Sequence, residues 1–319
     1  MALKRYAALL IILVSMLSGS SAAGAGRLIA TVLTSDMPQY KEAHRAFVKA
    51  LAARGFAQSE VEIVTQTPNP DPVSWANSLR KFDALKPELI VTFGTSVTIA
   101  AMQETNAIPI VFADVYGPVE TGITRSMSKA GNNLCGVSSK VPMATLIRTM
   151  TDIRPIKTLG VLFNSREVGS IVQLKEMKRI AAQKGFAVVE ANVQAASGLD
   201  TALGYLLGRS DCLFVADSSV VGRSLDKVAR KAGDAKIPLI SLIPASSVKG
   251  ALVALEASPE DQGQLAADYA AKILSGKKPG EFSIATPRTV ELIINMSAAR
   301  ALGLHVPFRA LNAATKVLK

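Results

Sequence analysis

Leu89-Ile90-Val91-Thr92-Phe93-Gly94-Thr95-Ser96 and Cys212-Leu213-Phe214-Val215-Ala216-Asp217-Ser218-Ser219 decide the fold between them. Each begins as an apolar run without alternation, the pattern of a strand covered on both faces of a parallel sheet. Each then breaks into small polar residues that open a helix. Two such strand-to-helix joints in one chain point to two α/β units.

The surrounding sequence repeats the comparison. In the first half, strands are expected at Leu28 to Leu33, Val61 to Val64, Leu89 to Phe93 and Ile108 to Phe112. Helices are expected around Tyr40 to Leu51, over Val73 to Leu85, and from about Val97 to Gln103. In the second half, strands are expected at Thr158 to Phe163, Phe186 to Ala191, Cys212 to Val215 and Ile237 to Ile240, with helices between them. Arg54-Gly55-Phe56 answers Lys184-Gly185-Phe186, and Ile108-Pro109-Ile110 answers Ile237-Pro238-Leu239. Alternation of this kind predicts an α/β protein with two Rossmann-like lobes, each on a parallel sheet. A surplus helix, Gln262 to Leu274, and strand, Val290 to Ile294, follow the second lobe. They fit if the chain crosses between the lobes more than once, forming a hinge.

Composition narrows the function. The 319 residues are 49% hydrophobic and 19% charged, with a formal charge of +11, which suits two globular domains. Two cysteines and two histidines are too few for a disulfide framework or a Cys- or His-based metal site. Cys135 and Cys212 sit in apolar surroundings and read as buried free thiols. Residues 1–25 read as a secretory signal, with Lys4 and Arg5 before an apolar run and Ala23-Gly24-Ala25 at the cleavage point. Processing near Ala25 would lower the charge by two, to +9, and is expected to leave the protein in the periplasm with no direct membrane insertion; an uncleaved anchor is the alternative reading. The remaining Lys and Arg are scattered over helix faces without interleaved aromatics, so nucleic acid is not an expected partner.

Open parallel sheets bind ligands beyond the carboxyl ends of their strands. Those ends supply the candidate ligand-binding residues: Ser35, Gly94, Thr95, Ser96, Asp114 and Tyr116 in the first half, and Asn164, Ser165, Asp217 and Ser218 in the second. Gly94 admits close backbone approach, while Thr95 and Ser96 stand at a helix start, where free N–H groups favour an anion. Asp217 or Asp114 suits an ammonium group; capping of the following helix is the alternative role for Asp217. Trp75 and His44 read as packing residues. Gly94-Thr95-Ser96-Val97-Thr98 is not a nucleophile elbow. Phosphate-loop, dinucleotide and zinc-protease motifs are absent as well. No catalytic residue, metal or cofactor is expected.

The chain resembles the substrate-binding proteins of ABC transporters, in the branch associated with tryptophan and other aromatic amino acids. Leu89 to Thr95, Ile108 to Phe112, Gly131 to Ser138, Gly250-Ala251-Leu252, Ile273 to Pro279 and Leu302-Gly303-Leu304 carry the resemblance by their order and spacing. It implies a type I periplasmic-binding-protein fold with a three-crossover hinge: a first lobe of residues 26–138 plus 250–280 and a second of 139–249 plus 281–319. It also implies a monomer that captures a small molecule by closing its lobes and delivers it to an ABC permease in the inner membrane. A sensor subunit for a membrane receptor or kinase, or a periplasmic α/β enzyme, are the alternative readings. Gly117-Pro118-Val119 stands where the family usually has Asp-Pro-Val, and Cys135 where it has Thr. Both departures fall near the cleft rim or first crossover and leave the ligand open.

Overall fold

The computed structural model describes residues 27–57, 59–131 and 133–319; the expected signal and its cleavage point lie outside them. The first sheet has five parallel strands in the order β2-β1-β3-β4-β5. They are β1 (Arg27–Leu33), β2 (Val61–Gln66), β3 (Leu89–Phe93), β4 (Ile110–Val115) and β5 (Leu134–Ser138). Every residue of β3 and β5 is buried, as their unbroken apolar sequences require. Helices α1 (Pro38–Ala52), α2 (Pro72–Leu85) and α3 (Thr95–Glu104) connect the strands. Pro38 and Pro72 occupy helix starts, where a missing N–H costs nothing. Asp71 caps α2 by accepting from Ser74 N at 2.9 Å.

The second sheet has seven strands in the order β12-β11-β10-β9-β8-β6-β7. These are β6 (Thr158–Phe163), β7 (Ala187–Asn192), β8 (Cys212–Val215), β9 (Leu239–Ser241), β10 (Val253–Ala257), β11 (Val290–Asn295) and β12 (Lys316–Leu318). All pairings are parallel except β10 with β11. The helices are α4 (Met143–Ile153), α5 (Val168–Lys184), α6 (Leu199–Leu207), α7 (Ser219–Gly222), α8 (Leu225–Asp234), α9 (Pro259–Leu274), α10 (Met296–Leu302) and α11 (Phe308–Ala313). Two α/β lobes of the type I periplasmic-binding-protein class result.

The strands expected from Ile108 and Ile237 begin two residues later, at Ile110 and Leu239. Pro109 and Pro238 have no N–H to give a ladder, so pairing starts beyond them. Cys135 and Cys212 are free and buried in β5 and β8. Burial pushes the Cys135 thiol up to about 12 and raises Cys212 as well, so both stay protonated.

The chain passes between lobes three times. It leaves the first sheet after Ser138, returns after Ala257 and leaves again beyond Ala285, which bridges in parallel to Val137. Residues 250–257, expected with the first lobe, therefore lie in the second sheet. There β10 pairs with β9 on one edge, Val253 opposite Ile240, and with β11 on the other, Leu255 opposite Leu292. The following helix α9 belongs with the first lobe, lying along α1, and the chain stays with that lobe as far as Ala285. Gly263 makes that contact possible: a Cβ there would run into the backbone oxygen of Ala43 and lie 2.8 Å from Phe47 N.

Candidate ligand-binding cleft

The carboxyl ends of both sheets face one cleft. Asp114 follows the buried core of β4 at a register shift, where pairing with β5 skips between Phe112 and Val115. It adopts φ +54°, the left-handed region that few residues other than Gly occupy and that Asp tolerates. Gln262 of α9 fixes this turn, accepting from Asp114 N at 2.9 Å and donating to Ser138 O at 2.9 Å. The Ser139 hydroxyl lies near the Asp114 carboxyl.

Asp217 extends from β8 of the other lobe. Its N–H donates to Gln173 Oε1 of α5 at 2.8 Å, and the Tyr40 hydroxyl, which comes from α1 across the cleft, lies near its carboxyl. Gly169, in the first turn of α5, lies against it. A Cβ at Gly169 would sit 3.1 Å from Thr95 Oγ1 and 3.3 Å from Asp217 Oδ2. Thr95 Oγ1 in turn accepts from Tyr116 N at 3.1 Å. The starts of α3 and α5 thus approach each other from opposite lobes with the Asp217 carboxyl beside them, where helix dipoles favour negative charge.

A narrow space lies between the shut lobes. Its polar wall is Gln39, Asp114, Ser139, Gln173 and Asp217, and its less polar wall Tyr116, Leu242, Ile243, Pro244 and Ala257. Among the described residues, no Lys or Arg lines it. Both aspartates keep some surface where they border this space, yet protein packs closely around them. Burial pushes Asp114 up to about 6. Burial, and then the nearby Asp114 and Glu167 carboxylates, hold Asp217 well above the usual carboxylate range.

Polar contacts close the rim. Arg223 Nε donates to Asp36 Oδ1 at 2.7 Å, and Met37 packs on Gly222. On another side the Tyr116 hydroxyl donates to Glu176 Oε2 at 2.8 Å. There Lys140 pairs with Glu120 and lies 3.8 Å from Glu176. Each contact joins groups from different lobes or from the crossover between them, so the lobes are shut on each other.

Of the residues singled out from sequence, the fold brings Asp114, Tyr116 and Asp217 to the cavity and Thr95 next to Asp217. Ser96 is buried in the first turn of α3. Gly94 instead makes room for Thr34 and Tyr40: its φ is +108°, and a Cβ would lie 2.9 Å from Tyr40 Cε1. Ser35 is fully buried beneath the cleft. Asn164 and Ser218 serve Glu167, donating to its Oε1 at 2.8 and 3.0 Å, while Ser219 N donates to both of its oxygens. Ser165 bonds Asn192 and Gln194 at the sheet edge. Trp75 is buried and donates from Nε1 to Thr34 O at 2.9 Å. Leu242 to Pro244 also line the space and follow β9, where the strand-end rule applies equally. Gln39 and Gln173 carry no sequence signal, since each is one polar residue on a helix.

The family model for ABC transporter substrate binding proteins matches residues 29–318. A tyrosine-binding protein of Clostridioides difficile (strain R20291) is 29% identical over 272 residues, 85% of this chain and 79% of that protein. A conserved domain protein of Vibrio cholerae superposes with a TM-score of 0.87 at 26% identity, covering 91% of this chain and 99% of that one. A Streptococcus pneumonia ABC domain in complex with L-Trp also gives 0.87, at 21% identity, covering 92% and 100%. The ligand-free, open structure of a Clostridium difficile substrate binding protein gives 0.69 at 29% identity, covering 92% and 99%. With two lobes, a cleft at their strand ends and a family match along nearly its whole length, the chain belongs to the ABC transporter substrate binding proteins.

Proposed function

We propose that the cleft captures a free amino acid with an apolar, aromatic side chain and presents it to an ABC permease in the inner membrane, from the periplasmic side. One observation carries the ligand assignment: the Asp217 carboxyl faces the cavity with a neutral hydroxyl beside it and no cation in the lining. An ammonium group satisfies that carboxyl. The free N–H groups at the start of α3, with Thr95 and Ser96, suit the ligand's carboxylate. Tyr116, Leu242, Ile243 and Pro244 offer surface to a planar apolar side chain. The printed ligands of the relatives, tyrosine and L-Trp, support the same class.

A thermal-shift screen of the amino acids, followed by calorimetry, tests this. L-tyrosine or L-tryptophan is expected to raise the melting temperature. Asp217→Asn is expected to weaken binding by about 2–4 kcal/mol, the scale for losing one partner of a buried charge pair. Unchanged affinity in Asp217→Asn would refute the ammonium anchor.

A further inference from the structure

Asp114 and Asp217 belong to different lobes, and closing the cleft sets both against one small cavity. The hydroxyl nearest each carboxyl is neutral, Ser139 beside Asp114 and Tyr40 beside Asp217. The other groups facing them do not compensate the charge. Glu167, ahead of α5, is a third carboxylate, held by its own donors. Tyr40 and Tyr116 remain neutral, as burial raises both phenols. The rim cations Arg223 and Lys140 are engaged by Asp36 and by Glu120.

Two further details mark the pair as aimed at something. Asp114 holds a left-handed backbone, a strained conformation for a residue other than Gly, and persists in it because Gln262 pins the turn. Gln39, only 4% exposed and lining the same cavity, has nothing better than Met37 Sδ at 3.9 Å for its amide.

Two ionised carboxylates enclosed together repel, because water no longer screens them. Either a proton or a cation relieves the repulsion. We propose, building on the reading of this cleft as the ligand site, that closure requires positive charge between Asp114 and Asp217: a proton supplies it in acid, the ligand's ammonium replaces that proton, and Asp114 is thereby a specificity-determining residue. The displaced proton passes to the buffer. Ligands with a protonated amine close the lobes; deaminated analogues of the same shape add a third negative charge and do not. The raised pKa values of both carboxyls agree with this geometry.

Small-angle scattering on the ligand-free protein tests the gate without any ligand. The wild type is expected to be compact near pH 5 and to expand by about pH 8, as the shared proton is lost. Asp114→Asn is expected to stay compact at both, because Asn also tolerates a left-handed backbone and has no charge to repel Asp217. Circular dichroism verifies that the variant folds. Glu256 is the control: burial pushes it up to about 7, and Glu42, Glu291 and Lys316 surround it. A wild type whose dimensions ignore pH, an Asp114→Asn that expands like wild type, or a pH response removed by Glu256→Gln would each overturn the proposal.

L-tyrosine then serves as the ligand probe. Its affinity is expected to fall by up to about tenfold per pH unit below about pH 6 in the wild type, and to flatten in Asp114→Asn. Its deaminated analogue is expected not to bind. A pH-independent affinity, or equal binding of the deaminated analogue, would overturn the exchange. If no amino acid binds at all, the ligand assignment falls, and scattering alone decides the gate.

Discussion

Arg223 Nε of the second lobe lies 2.7 Å from Asp36 Oδ1 of the first, so an ion pair spans the mouth of the cleft. The two side chains are 40% and 55% exposed, and exposed pairs contribute only about 0.2–1 kcal/mol. Arg223→Ala is therefore expected to shift the open–closed balance by about two- to fivefold. Stopped-flow measurement should find this as faster ligand release with an almost unchanged melting temperature. High salt should have the same effect on the wild type and none on the variant.

Gly169 tests how tightly the cleft closes. In Gly169→Ala the new methyl meets Thr95 Oγ1 and Asp217 Oδ2 at 3.1 and 3.3 Å, closer than comfortable contact. Opening removes the contact with Thr95, which crosses the cleft, and leaves only that with Asp217 of the same lobe, while Ala favours the helix by up to about 1 kcal/mol. Ligand affinity should fall about tenfold, the order of a modest overpacking cost, while the ligand-free melting temperature holds or rises. Calorimetry and thermal melts separate the two.

Gly263 addresses the fold alone. Gly263→Val forces α9 away from α1 at the Ala43 oxygen. A loss of about 1–3 kcal/mol in chemical denaturation is expected, at the level of other overpacked contacts.

Glu256 gives a pH prediction with a definite sign. Burial raises its carboxyl to about 7, one oxygen has no hydrogen-bond partner, and the other accepts from Ala245 N at 2.9 Å. Because the folded pKa is raised, the native state holds more protons than the unfolded chain between the two pKa values. Its stability contribution is thus present at low pH and lost as pH rises through about 7. Glu256→Gln is expected to melt about 2–4 °C above wild type near pH 8, with the gain vanishing near pH 4. Thermal melts across that range check it.

Much of this was readable from residue order. Leu89 to Phe93 and Cys212 to Val215 are apolar without alternation, and only a doubly covered parallel strand satisfies such a run. The polar residues behind them pointed to Asp114 and Asp217 because parallel strands place their carboxyl ends on one side. Less readable were the elements that local pattern leaves ambiguous. Val253 to Ala257 reads equally well as a strand of either lobe, and its hydrogen-bond partners, β9 and β11, settle the matter. Ser35, Asn164 and Ser218 follow strands just as Asp217 does, yet they serve packing and the Glu167 network.

By itself, then, the sequence determined the two-lobed α/β plan and the strand ends that come to face the cleft, since hydrophobic period and turn chemistry are local properties. Tertiary structure alone decided which polar residues share the cavity, that Tyr40 reaches Asp217 across it, and that Asp114 and Asp217 confront each other without a cation. Charge repulsion and burial depend on distance in space, and residues 114 and 217 become neighbours only when the lobes shut.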